Sequence, residues 1–456
     1  MNKLFLNLSL IVRACTAYGH LMWKGTGQSL AFLAAMAVHP AYAQDNVLGA
    51  FDWLADLESG GVTAGAGFEA YWYEAPFAFP IDPGGSEDEE ITLSGPSLSF
   101  EHTRVPLPDT GGLFVEFGGS FASLEGDDTT RVRLNDGGFS LASGTVPAGS
   151  LDISTSGASA TWSYDIEDGP SAFGSGTSGP DGSITDLAFS PSENGSALVT
   201  ITTDGAAESA GALALLVGAE GYALIGAGDD LSDSEALAYR EVSVDTGELR
   251  MLFGRTLERE NGWTVTPRFG PVFGRTQSDS HQSLRFDIAE APGAVRPLPT
   301  ISITDQDELD TKSIGIVAAA AFERQIADRW SMQIGLEAAV KHNHSDLVSR
   351  TRVSIPDLSD TRMPATKDDA SGVSVEALTS LDFSYQLDRG GVLTVGVFGS
   401  YTSGYPTVER HGSSGSGSSG GGSASYVSDG SGSIESRVGE TDLWNYGVHT
   451  GFTFFF

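Results

Sequence analysis

Glu69, Glu101, Glu116, Glu337, Glu376 and Asp382, with Arg250, Arg268 and Lys341, are the side chains whose type and position point to chemistry. Each lies in a stretch of alternating residues, on the face opposite the apolar one. Such a pattern is expected of a strand that separates two different environments. Charged groups on the inner face can line a channel and set its ion selectivity. They can equally pair with one another and fill a narrow interior. Carboxylates outnumber bases in the set, so a channel built from it is expected to prefer cations.

Other candidates are weaker. His342 and His344 stand two apart, beside Ser345 and Asp346, at the expected outer end of a strand. Two imidazoles on one face could bind a metal, or with Ser345 suggest a surface hydrolase. Two ligands make no complete site, and an exposed rim is the simpler expectation. His449 falls on the inward face beside small residues, as a network member. The acidic runs Glu87-Asp88-Glu89-Glu90 and Asp229-Asp230 with Asp233 and Glu235 have oxygen ligands but no calcium-loop spacing, and read as solvated charge. No phosphate-cradling glycine loop or nucleophile elbow is present. No catalytic residue, cofactor or metal site is expected, and the chain does not read as an enzyme.

The elements that position these residues are strands. Trp444, Tyr446, Val448, Thr450, Phe452, Phe454 and Phe456 share one face of the last stretch, with Asn445, Gly447, His449, Gly451 and Thr453 on the other. Equivalent alternation occurs at 373–386, 393–401, 330–341 and 263–273, and more weakly near 62–74, 96–104, 112–124, 239–257 and 312–324. Pro267 and Pro271 predict bulges or an interrupted ladder. A change of phase near Gly247 predicts a bulge there.

Ten strands result, joined alternately by short connections (105–111, 258–262, 325–329, 387–391) and long ones (75–95, 125–238, 278–311, 346–372, 402–440). Tight turns at one end and long loops at the other describe a transmembrane β-barrel, and the even count leaves both termini at the short-turn, periplasmic end. No segment after the leader is apolar enough for a membrane helix, and only helices and closed barrels satisfy their backbone in lipid. The fold class is therefore all-β, an antiparallel barrel of about ten strands. The connection 125–238 is too long for a structureless loop. It reads as a β-rich, Gly/Ser/Asp-rich extracellular insertion, or it supplies two more wall strands and makes twelve, which would favour a pore. The Gly/Ser/Ala run 412–425 reads as a flexible outer loop.

The whole chain has 25 Lys and Arg against 60 Asp and Glu, a net charge of −35, which argues against nucleic acid. Residues 1–43 read as a signal peptide: Lys3, Arg13 and Lys24 precede the apolar core 30–38, and Ala41-Tyr42-Ala43 supplies a small-x-small cleavage site. Cleavage there removes those three cations and Cys15, the sole cysteine, which shifts the charge to −38 and leaves no disulfide or thiolate site. Residues 44–61 then form a periplasmic segment, and 62–456 the barrel.

The terminal Phe456 resembles the C-terminal signature by which outer-membrane barrels are recognised for insertion. The layout of 239–456 resembles the Legionella-type pore-forming major outer-membrane protein family, on the pieces Val244-Asp245-Thr246-Gly247-Glu248-Leu249, Pro267-Arg268-Phe269-Gly270, Ser313-Ile314-Gly315 and 443–456. That resemblance implies a pore and designates no functional residue. Two readings follow: a porin-like, cation-preferring pore for small solutes in the cell outer membrane, or a barrel anchoring 125–238 and the outer loops for binding at the surface. Expected partners are outer-membrane lipid and lipopolysaccharide, the barrel-assembly machinery, and small solutes or ions.

Overall fold

The computed structural model describes residues 61–74, 90–107, 110–133, 139–157, 159–177, 186–191, 195–203, 210–228, 235–259, 261–287, 300–387, 390–410, 415–420, 422–430 and 436–455. The expected signal peptide, the segment up to residue 60, Glu87-Asp88-Glu89, Asp229, Asp230, Asp233 and Phe456 lie outside these residues. Ten strands form the wall: β1 Gly61–Glu74, β2 Glu90–Pro106, β3 Leu113–Arg133, β4 Glu235–Arg255, β5 Trp263–Asp287, β6 Ile301–Ala327, β7 Trp330–Ile355, β8 Thr366–Gln386, β9 Gly391–Arg410 and β10 Ser436–Phe455. Each pairs antiparallel with the next, and β10 returns to β1, with Gly61 opposite Phe455 and Trp72 opposite Trp444. The ring leaves no free edge, so the wall's ladder groups are paired within it.

The outer surface carries an apolar belt. On β7 it runs through Trp330, Met332, Ile334, Leu336, Ala338 and Val340; on β6 through Ile314, Ile316, Ala318, Ala320 and Phe322. Ile316 is 68% exposed, and Val373, Val375, Val395 and Val448 are also exposed. Eleven residues of tilted strand span about 28 Å, the height of a barrel's lipid-facing band. Aromatic pairs mark its rims: Trp330 against Tyr385 at the short-turn end and Tyr401 against Trp444 at the other, with ring centroids 4.9 and 4.8 Å apart.

The strands continue past this belt, which corrects the expectation of long loops at 278–311 and 346–372. Beyond it the alternation persists and its sense reverses. On β6 the outward residues become Ser302, Thr304, Gln306, Glu308, Asp310 and Lys312, while Ile301, Ile303 and Leu309 are buried inside. A wall in lipid is apolar outside; a wall in water is apolar inside. The same reversal on β4 explains the apparent change of phase at Gly247. No bulge occurs there, because Gly247 pairs in register with both Phe121 and Arg275. Bulges fall instead between His102 and Val105, between Gln325 and Ala327, and between Thr402 and Tyr405, where Gly404 has φ +70°. The prolines of β5 interrupt one ladder only. Pairing with β4 lapses opposite Gly270 and Pro271, whereas pairing with β6 is continuous.

Among the described residues, the segment between β3 and β4 adds no wall strand. Its eight strands and two from 415–428 form two five-stranded sheets. The inner sheet orders 139–145, 220–228, 210–217, 196–203 and 186–191; the outer orders 415–420, 423–428, 149–156, 159–166 and 171–177. Two strands of the outer sheet come from the Gly/Ser run, so that run is not a flexible loop where it is described. Small side chains let it pair closely, and the strand Ser423–Ser428 docks on Gly149–Ser156 with Tyr426 buried.

The strand Glu220–Gly228 is buried on both faces. One face of its sheet presents Ala212, Ala214, Leu216, Ala223 and Ile225 to Leu151, Ile153, Trp162 and Tyr164 of the outer sheet. The other presents Phe139, Leu213, Leu215 and Leu224 to Leu284, Phe286, Ile301, Ile303 and Val353, which face inward at the barrel mouth. Phe139 stacks on Phe286 with centroids 5.7 Å apart. The cap is thus joined to the β4–β7 side of the mouth through an apolar core.

Candidate functional site

The inward residues of β4 order the interior. From the short-turn end they run Leu252, Arg250, Glu248, Thr246, Val244, Val242, Arg240, Ala238 and Ala236. Leu252 packs with Val272, Val317 and Ala339. Val242 and Val244 pack with Leu93, Leu124 and Leu443. Ala236 and Ala238 belong to the cap core. Polar tiers lie between these apolar ones.

The first polar tier is the charged set. All nine sequence candidates face the lumen. Arg250 Nη1 donates to Glu337 Oε2 at 3.1 Å, joining β4 to β7, three strands away around the ring. Lys341 Nζ donates to Glu248 Oε2 at 2.6 Å and to Glu376 Oε2 at 2.7 Å. Arg268 Nη1 donates to Glu116 Oε2 at 2.9 Å and lies 3.7 Å from Glu101. On the facing wall, Asn445 Nδ2 donates to Glu69 Oε2 at 3.2 Å. Ser380 donates to Asp382, whose other oxygen is 2.9 Å from His449 Nε2. Three of these bridges skip strands: Arg250–Glu337 and Lys341–Glu248 span three steps of the ring, and Arg268–Glu116 spans two. Their desolvation is offset only while both partners are present.

Glu248 is missing from the sequence set, although it shares Arg250's parity. It directly follows Gly247, where a bulge was expected to change the phase of the strand. The second polar tier is absent from the set altogether. Arg240, fully buried, pairs in register with Gln282, Gln282 with Asp305, and Asp305 with Thr351. Arg240 Nη2 lies 3.5 Å from Asp128, and Thr351 Oγ1 donates to Asp305. Asp128, Gln282, Asp305 and Thr351 sit in stretches expected to be loops, where an inward parity had no meaning, and Arg240 sits in the expected strand 239–257, before its expected change of phase at Gly247.

His342 and His344 face outward above the apolar belt, and His344 Nδ1 lies 3.1 Å from Ser371 Oγ. Among the described residues no group of three His, Cys, Asp or Glu side chains is arranged to hold a metal ion.

No protein-family model matches the chain, that of the Legionella-type family included, and no curated protein matches it. Among solved structures the chain is similar to the outer membrane protease OmpT from Escherichia coli, at 7% identity over 88% of this chain and 98% of that one, with a TM-score of 0.21. It is similar to a Pseudomonas aeruginosa FadL homologue at 10% identity over 86% and 89%, with a TM-score of 0.19. The Vibrio cholerae outer membrane protein OmpT matches at 10% identity over 87% and 100%, with a TM-score of 0.13. Likeness at this level carries no activity across. The architecture itself, a closed, even-stranded, up-and-down antiparallel ring with an apolar belt, is that of the outer-membrane β-barrels.

Proposed function

We propose that this protein is an outer-membrane barrel that anchors a surface binding domain, the two-sheet cap, on the extracellular side. The observation that carries this reading is the succession of apolar clusters, bridged charges and cap core along the inward face of β4, from turn end to mouth. A narrow barrel packed in this way serves as a membrane foundation. The long connections, which carry the cap, face outward when the short turns face the periplasm. Outer-membrane lipid and lipopolysaccharide then surround the belt.

The test is single-channel recording of the purified full chain in a planar bilayer. Electrical silence across both voltage polarities is expected. Stepwise ohmic conductance would overturn the anchor reading.

A second reading, a cation-preferring pore for small solutes, is favoured by one feature. The bridged tier and its facing wall hold seven carboxylates (Glu69, Glu101, Glu116, Glu248, Glu337, Glu376, Asp382) against Arg250, Arg268 and Lys341. An excess of negative charge favours cations in any water path beside the bridges. Charge reversal at Glu376 and Asp382 would then shift ion preference.

A further inference from the structure

Phe173 is 86% exposed, on the strand Ser171–Thr177 at the margin of the outer sheet. The inner face of that sheet is buried against the inner sheet, which in turn packs on the β4–β7 side of the barrel mouth. Its free face is therefore the layer farthest from the membrane belt. A phenylalanine held in water there contributes nothing to the core, and its ring is open to any ligand seated in the groove beside it.

Its surroundings define the contact. A groove of about 420 Å³ lies on this face, walled by Phe173 and floored by Asp152, Ser154, Thr161, Ser163 and Ser175. The floor is two cross-strand rows in register. Asp152 faces Ser163, which faces Phe173; Ser154 faces Thr161, which faces Ser175. Beneath it Trp162 stacks on Tyr164 at 5.9 Å. Gly174 allows the Trp162 ring to lie against the edge strand, since a Cβ there would fall 2.4 Å from Trp162 Cζ2. The platform is thus braced from behind.

The geometry points to a binding site for a neutral saccharide. Its chemistry is one carboxylate acceptor, four hydroxyls that both donate and accept, and one aromatic face. A sugar ring presents vicinal hydroxyls that can donate to Asp152 and exchange hydrogen bonds with the Ser and Thr row. Its C–H face is apolar and can lie against Phe173. The groove lining contains no Lys, Arg or His, so a phosphate, sulfate or other acidic ligand would meet Asp152 uncompensated. This inference rests on the anchor reading, because it needs the cap to face outward.

The experiment has two arms. In the first, Ser175→Cys is labelled on intact cells with a membrane-impermeant maleimide. Labelling is expected, and its absence would sink both the anchor reading and the site. In the second, the full chain in detergent is applied to an array of neutral and acidic glycans, and the best neutral oligosaccharide is titrated calorimetrically. Saturable binding is expected, weakened about five- to tenfold by Phe173→Ala, as loss of an aromatic contact of about 1 kcal/mol implies. Asp152→Asn should weaken it as well. Both positions are on the free face, and retained Trp162 fluorescence certifies the fold. Labelled cells with no glycan binding would overturn the ligand class while leaving the anchor intact. So would a preference for acidic glycans, binding indifferent to both substitutions, or capture of an extended peptide along the edge strand.

Discussion

At the scale of single residues, Lys341 holds the most consequential position in the lumen, because one ammonium serves both Glu248 and Glu376. Removing it leaves Glu248 and Glu376 without the ammonium that bridges them. Lys341→Met should cost about 3–5 kcal/mol, the usual consequence of breaking a buried pair from one side. The urea unfolding midpoint in lipid vesicles, followed by Trp fluorescence, measures it. Adding Glu248→Gln and Glu376→Gln to the same chain should recover most of the loss. If the triple variant is no more stable than the single one, charge is not what the ammonium supplies. A second residue-scale case lies outside the membrane, where Arg352 forks onto Asp360 at 2.6 and 2.9 Å and closes the hairpin from β7 to Ser359–Arg362. The Arg352 hydrogen bonds hold the Asp360 carboxyl below its ordinary value. A depressed acid contributes stability above its unfolded pKa, near 3.9, and loses it as pH falls through the lower folded value. Amide protection of 356–362, corrected for intrinsic exchange, should therefore decline only in that acid range. In Asp360→Asn the decline should be absent.

At the scale of strands, the change of the apolar side from outside to inside along a wall strand decides what a substitution does. Ile316 and Gln306 lie on the same outward face of β6, ten residues apart. Ile316→Arg places a charge in mid-belt and should cost about 2–4 kcal/mol of insertion free energy, whereas Gln306→Arg, above the belt, should cost close to nothing. Reversible folding into vesicles measures both, and equal costs would mean that the belt is misplaced. The same reversal explains how far the fold could be read from residues alone. The apolar-outside alternation of 330–340 or 373–385 is unambiguous, so the ten strands and their order were legible. The continuation of β6 through Ile301, Ile303 and Leu309 carries the opposite sense, and a reader following lipid-facing residues stops at Lys312. The inward placement of Glu116, Arg250 and Lys341 followed from parity with their apolar neighbours. Their partners did not, because the Arg250–Glu337 bridge joins strands separated around the ring and depends on barrel diameter. The pairing of 423–428 with 149–156 was invisible for a related reason. It joins segments more than 260 residues apart through side chains too small to leave a pattern.

At the scale of the whole molecule, the barrel and its cap share one core, so neither is a passive attachment to the other. Removing the cap, by replacing 134–234 with a short linker and 411–435 with a turn, leaves every wall strand and the ring closure in place. The truncated chain should insert and retain its β spectrum. Its mouth, however, would then expose Leu284, Phe286, Ile301, Ile303 and Val353 to water. A patch of that kind recruits dye and neighbouring chains, so increased ANS fluorescence and self-association at low detergent are expected. Conductance separates the two readings of the lumen. The bridges from Arg250, Arg268 and Lys341 do not touch the cap core, and with them intact the truncated barrel should stay silent. Opening of a cation-preferring current on truncation alone would mean that the bridged tier leaks and that the cap is the seal. In that case the two sheets would act as a gate over a pore, and whatever occupies their outer groove would be placed to control it.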